Sequence, residues 1–260
     1  MTLNMVEKAL SFFNVNRNRP LPPTCGRDSI LIMFSCKWRN EREFNRIETM
    51  EAQAETQHRP LLVVVTAPSG AGKSTLCRML LNEFPDFAYS VSCTTRAPRG
   101  DEVDGAAYHF LSSSEFEERI RRGEFLEHAL VHGHRYGTLR KTVQDAMAAG
   151  RSVLMDIDVC GAAQVRNLMT ALPPDDPMRA GFVDIFINAP SVDVLRARLV
   201  RRGEDAPETI ERRLANALGE IARAGDFRHR LINDDLQNAY REFRRVILDA
   251  ARGTEDPSQA

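Results

Sequence analysis

Residues 61–75, LLVVVTAPSGAGKST, constrain the fold more than any other stretch of the chain. The apolar run LLVVV has strand length and β-branched composition, and small turn-forming residues follow it at once. Next comes Ala67-Pro68-Ser69-Gly70-Ala71-Gly72-Lys73-Ser74, then Thr75, a near match to G-x-x-x-x-G-K-[ST]. The amphipathic run LCRMLLNEF behind it reads as a helix. Glycines let consecutive backbone N–H groups curl round a polyphosphate, and the helix points its positive N-terminal end at the anion. Lys73 suits the β- and γ-phosphate oxygens, and the Ser74 hydroxyl suits a place on Mg²⁺. Ala67 stands where the pattern asks for its first glycine, which bears on loop geometry rather than on phosphate binding. The plainer reading is a glycine-rich turn with an exposed lysine. A strand before and a helix after favour the phosphate loop, and with it a nucleoside triphosphate.

From residue 61 onward strands and helices alternate, the signature of an α/β fold with a largely parallel sheet flanked by helices. The pattern predicts a strand at 61–66, a helix at 73–83 and a small inserted mixed module at 87–137. That module holds short strands in AYSVS, AAYHFL, FLEHALVH and HRYG, and one helix opened by a capping box from Ser112 to Glu115. A helix at 138–149 stops at Gly150, and a strand at 152–157 leads to a helix near 161–170. After the turn-rich loop TALPPDDPMRAG come a strand at 182–187 and helices at 191–202, from near Pro207, and over about 235–250.

Residues 1–59 break this rhythm with irregular Asn and Arg and a turn at Pro20-Leu21-Pro22-Pro23. They are expected to be a disordered N-terminal extension before a domain at 60–252, with Met50 a candidate translation start and 253–260 a polar tail. The 35 basic and 36 acidic residues leave a net charge of −1, so no global field calls for nucleic acid or an anionic membrane. Any anion site must be a local cluster. Five cysteines without a C-x-x-C pair read as reduced thiols, which implies a cytoplasmic protein. The apolar stretches are too short to span a bilayer.

Four further groups carry chemistry. In SCTTRAPRGDEVDGAAYHF, Arg96 and Arg99 stand three apart beside hydroxyls and a proline-fixed turn, a fork of donors suited to a phosphate monoester. In SVLMDID, Asp156 falls at the carboxyl end of a strand, where an acid can orient Mg²⁺ through water. Glu127 sits inside an otherwise apolar strand, and such carboxylates face a partner or a ligand. Arg198, Arg202 and Arg213 lie on consecutive helices; alone, they read equally well as solvated faces.

Taken in order and spacing, APSGAGKST, SCTTRAPRGDEVDGAAYHF, GEFLEH, HRYGT, LMDIDVCG, RLVRRG and INDDL resemble guanylate kinase over about residues 60–250. The block TTRAPRGDE is far more specific than the phosphate loop, although Asp101 stands where the family usually has glycine. The resemblance implies an ATP:GMP phosphotransferase that needs Mg²⁺ and serves purine nucleotide metabolism and GMP recycling. Its partners would be ATP and GMP, with dGMP not distinguished from GMP. Residues 67–75 would bind ATP, with Asn233 near the adenine. Ser92, Arg96, Arg99, Tyr108, Glu127, Tyr136, Thr138 and Asp158 match positions that bind GMP. Of these, Arg96, Arg99, Tyr108 and Tyr136 would hold the phosphate, while Ser92, Glu127 and Asp158 would face the guanine. Arg198, Arg202 and Arg213 match arginines of a lid at about 198–215, and with Lys73 and Arg96 they would stabilise the charge of the transferring group. Ser74 and Asp156 are the implied Mg²⁺ residues, Asp156 through water. His128 receives no role.

The acceptor chemistry is consistent with this set. Guanine presents N1–H and N2–H₂ as adjacent donors to a carboxylate, whereas adenine presents an acceptor at N1. The acceptor phosphate, with a second pKa of about 6, is already anionic at neutral pH, so no general base is required. Two rivals remain: a related kinase for another phosphorylated acceptor, and a non-catalytic guanylate-kinase-like module that binds protein. Ser92, Glu127 and Asp158 would be idle in the first, and the intact Gly70, Gly72, Lys73 and Ser74 speak against the second.

Overall fold

The computed structural model describes residues 59–131, 133–203 and 206–253. The expected extension lies outside these residues except for Arg59, whose Nε donates to the Ala250 carbonyl at 3.0 Å. Of the expected tail only Gly253 is described; its φ of +67° closes the last helix.

The organising strand is β1 (Leu62–Thr66), every residue of which is buried. Leu61, Val63 and Val65 point into one apolar cluster, and Leu62 and Val64 into another. An uninterrupted apolar run is the mark of a parallel strand covered on both faces. Beside it lie β7 (Val153–Asp156) and β8 (Phe182–Asn188), with β2 (Ala88–Tyr89) and β9 (His229–Ile232) at the edges. The order is β2-β7-β1-β8-β9 and every pairing is parallel. One face is covered by α1 (Lys73–Glu83), α6 (Val192–Arg202), α7 (Pro207–Ile221) and α8 (Leu236–Arg252). The other is covered by α3 (Arg140–Ala148) and α4 (Val159–Ala171), with a single turn α5 (Pro177–Ala180).

A second sheet, in the order β4-β3-β6-β5, builds the inserted module. It comprises β3 (Cys93–Thr94), β4 (His109–Phe110), β5 (Phe125–Val131) and β6 (His134–Leu139), with α2 (Ser113–Arg121) across it. A small core of Cys93, Phe116 and Phe125 holds it together, the two rings stacked at 4.4 Å. The capping box that opens α2 is present in full, with Ser112 and Glu115 each bonding the other's main chain.

The expected helix at 138–149 begins later, because Thr138 and Leu139 still pair with β5. Several elements escaped the pattern altogether, among them β3, which starts at Cys93, one residue past the expected strand AYSVS. Within TALPPDDPMRAG, Asp176 caps a turn that starts at Pro177, a favoured first helical residue. In β9 only Leu231 is buried, so its sequence HRLI shows no strand period.

Candidate active site

A cleft of about 1190 Å³ opens at the carboxyl ends of β1 and β9. Its floor is the turn between β1 and α1, where Gly70 (φ +90°) and Gly72 (φ +94°) take left-handed conformations closed to most side chains. Among the described residues no side chain caps α1. The first N–H groups of the helix therefore remain available to an anion at its positive end. Lys73 forms an ion pair with Asp156, the last residue of β7, so the loop's cation and the sheet's acid meet at the cleft floor.

Asn233 braces this loop from behind. It is buried, its Nδ2 donates to the Ala71 carbonyl at 2.8 Å, and a Cβ on Gly72 would stand 2.2 Å from that nitrogen. The amide thus serves the loop, although the residue also lines the cleft. Arg198 donates to the Asn233 carbonyl at 2.8 Å, and Arg213 approaches the Ser69 hydroxyl at 3.5 Å. Arg198 and Arg202 line the cleft, so two of the three predicted arginines stand on its wall and the third reaches its loop.

The second group gathers on the small sheet. Tyr136 and Thr138 lie two residues apart on β6 and so share a face. Thr138 Oγ1 donates to Glu127 Oε1 at 2.8 Å, while the Tyr136 ring meets Tyr108 edge-on at 5.9 Å. The Arg96 guanidinium rests over the Tyr108 ring at 5.3 Å. Arg96 is itself buried; it donates to Glu102 Oε1 at 2.9 Å and to the Ala97 carbonyl at 2.8 Å, two of the five N–H donors a guanidinium carries. The other Glu102 oxygen accepts the Arg99 N–H at 2.8 Å, which sets the turn carrying both arginines. Arg99 is exposed and Ser92 half-buried.

Glu127 is 5% exposed. Burial pushes its carboxyl up to about 7, against the Thr138 hydrogen bond, and Asp158 adds to the upward push. Asp158 caps α4, accepting the Gly161 N–H at 2.7 Å. The module thus sets a cationic fork at one end of a line of aromatic and hydroxyl groups and a buried acid at the other.

A guanylate kinase family model matches residues 58–250. The chain belongs to the guanylate kinase family. It is 46% identical over 188 residues to a guanylate kinase of Symbiobacterium thermophilum, covering 72% of this chain and 84% of that one. A guanylate kinase of Dechloromonas aromatica is 47% identical over 186 residues, with 72% and 87% covered. The crystal structure of guanylate kinase from Anaplasma phagocytophilum superposes with a TM-score of 0.57 at 28% identity, covering 78% of this chain and 90% of that one. Membership of the family makes this chain a nucleotide-binding kinase.

Two residues of this family member escaped the sequence reading. Glu102 lies inside the quoted block, yet its grip on Arg96 and Arg99 depends on how the turn closes. Gln164 bonds the main chain of a residue 36 positions away, a contact that no local pattern announces. For a divalent metal, Ser74 and Asp156 would be the donors. Among the described residues no three His, Cys, Asp or Glu side chains converge on a metal cage. A few oxygen donors beside a polyphosphate loop fit Mg²⁺, which keeps several waters and shares phosphate oxygens.

Proposed function

We propose that this chain transfers the terminal phosphoryl group of ATP to GMP, giving ADP and GDP, in the recycling of GMP. The buried Glu127, on the same small sheet as the turn that carries Arg96 and Arg99, carries the reading, in a chain that keeps Gly70, Gly72, Lys73 and Ser74 of the phosphate loop. ATP would lie with its phosphates on residues 67–75 and the open N-terminus of α1. GMP would place its phosphate against Arg96, Arg99, Tyr108 and Tyr136, and its base against Ser92, Glu127 and Asp158. The Glu127 carboxylate would accept both N1–H and N2–H of guanine, and the Ser92 hydroxyl would donate to O6.

Two polyanions must then approach one another, and the residues answer that problem with charge and position rather than with a base. Lys73 neutralises oxygens of the transferring group, and Arg198, Arg202 and Arg213 close over it; a single such arginine is worth about 10³–10⁵ in rate. Mg²⁺, held by Ser74 and through water by Asp156, would supply charge neutralisation of the phosphate oxygens. Closure of the module (87–137) and the lid (about 198–215) would keep water from competing as acceptor. The reaction would proceed in the cytoplasm, in keeping with unpaired thiols at Cys77, Cys93 and Cys160. No helix among the described residues is long and apolar enough to cross a membrane.

Product analysis tests the reading. ATP, Mg²⁺ and GMP should give ADP and GDP in equal amounts, and Lys73→Met should abolish both. ADP formed without GDP would mark an ATP hydrolase and contradict the assignment.

A further inference from the structure

Helix α4 packs behind β5, and residues three apart along it meet Glu127 and its neighbour. Asp158 caps the helix through Gly161, and at Gly161 a Cβ would stand 2.9 Å from Glu127 Oε2. The absent side chain is what leaves the carboxylate its place. Three residues further along, Gln164 reaches the main chain of His128. Its Nε2 donates to the His128 carbonyl at 2.9 Å, and its Oε1 accepts the His128 N–H at 3.1 Å. Such a two-way pairing is what an adjoining strand would provide, and among the described residues β5 is the outer strand of its sheet. A side chain of the main domain thus fastens the edge of the acceptor module one residue from its buried acid.

We propose that Gln164 is a positioning residue for base recognition: by fixing the peptide at His128 it sets the depth and direction of the Glu127 carboxylate. The inference rests on the reading of Glu127 as the base-facing acid. Two convergent N–H donors must meet one carboxylate, so a displacement of about 1 Å forfeits much of the interaction. Gln164 touches neither substrate. It acts through β5.

The test is steady-state kinetics of the full chain with GMP and with AMP, for Gln164→Leu and for Gln164→Met as a second, unbranched replacement. Both remove the paired hydrogen bonds at similar volume. The KM for GMP should rise about tenfold while kcat and the KM for ATP stay within about twofold, and the GMP-over-AMP ratio of kcat/KM should fall in step. In a Glu127→Ala background, Gln164→Leu should change kcat/KM for GMP by less than about twofold, because the group it positions is gone. Lower thermal stability with an unchanged KM for GMP and an unchanged purine ratio would overturn the proposal. Multiplying losses in the double variant would overturn it too. Glu127→Ala separates this inference from the reading beneath it. If that variant keeps the wild-type purine ratio, the base-facing role of Glu127 fails and the positioning role falls with it. If the ratio collapses there and survives in both Gln164 variants, only the positioning role fails.

Discussion

At Glu127 the demands of folding and of recognition oppose each other. Burial raises its carboxyl from 4.5 to about 7, so the folded state favours the protonated acid more than the unfolded chain does. The corresponding stability is complete below about 4.5 and is lost as pH rises through about 7, where the buried group must ionise. Glu127→Gln mimics the protonated acid and can still accept from Thr138. It should stabilise the fold at pH 8 by on the order of 1–3 kcal/mol and by much less at pH 5, while losing preference for guanine. Thermal unfolding at the two pH values checks this, and equal gains at both would contradict it. Glu102 illustrates what the sequence conceals at this scale. The pair Arg96 and Arg99 stands out in the sequence because its chemistry is local, whereas the clamp joining them exists only once the turn folds. Glu102→Ala should raise the KM for GMP about tenfold and leave the KM for ATP unchanged, as steady-state kinetics will report. Gln164 is hidden for a related reason, since its partner is backbone and carries no residue identity.

Among the elements, α1 and the loop before it were readable to the residue, because glycine, lysine and the apolar period all point to one strand-turn-helix. The same holds for α2, whose capping box spells its own start, and for α6, which Ser191 caps. Short elements were not readable in this way. Strands β3 and β4 are two residues long, too short for an alternation to repeat, and β9 hides a single buried leucine between exposed neighbours. Yet β9 delivers Asn233 to the back of the phosphate loop, where the amide and Gly72 fit only because glycine has no side chain. Gly72→Ala would combine a left-handed φ of +94° with a Cβ 2.2 Å from Asn233 Nδ2. ATP affinity, followed by titration calorimetry, should fall by at least about tenfold, given a left-handed penalty of about 1–2 kcal/mol before the clash is counted. Unchanged affinity would show that the loop does not depend on this packing.

Across the whole molecule, every predicted site residue lies between Ala67 and Asn233, inside the span matched by the family model. The parallel order of the main sheet brings part of that set together from distant stretches, with Asp156, Lys73 and Asn233 arriving on three different strands or the turns that follow them. A chain beginning at Met50 should therefore keep kcat and both KM values within about twofold of the full-length protein, since residues 1–49 supply no predicted site residue. A larger loss would assign those residues a part in catalysis. The central claim is that the cleft and its module form one machine for passing phosphate from ATP to a guanine nucleotide. It is tested most directly by ADP release from Mg·ATP with GMP, AMP, UMP and CMP supplied in turn. Turnover is predicted with GMP, exceeding AMP by something like 10⁴-fold in kcat/KM, because a site built to bond guanine leaves buried groups unpaired with any other base. Comparable turnover with AMP, or none with any acceptor while ATP still binds, would contradict the account.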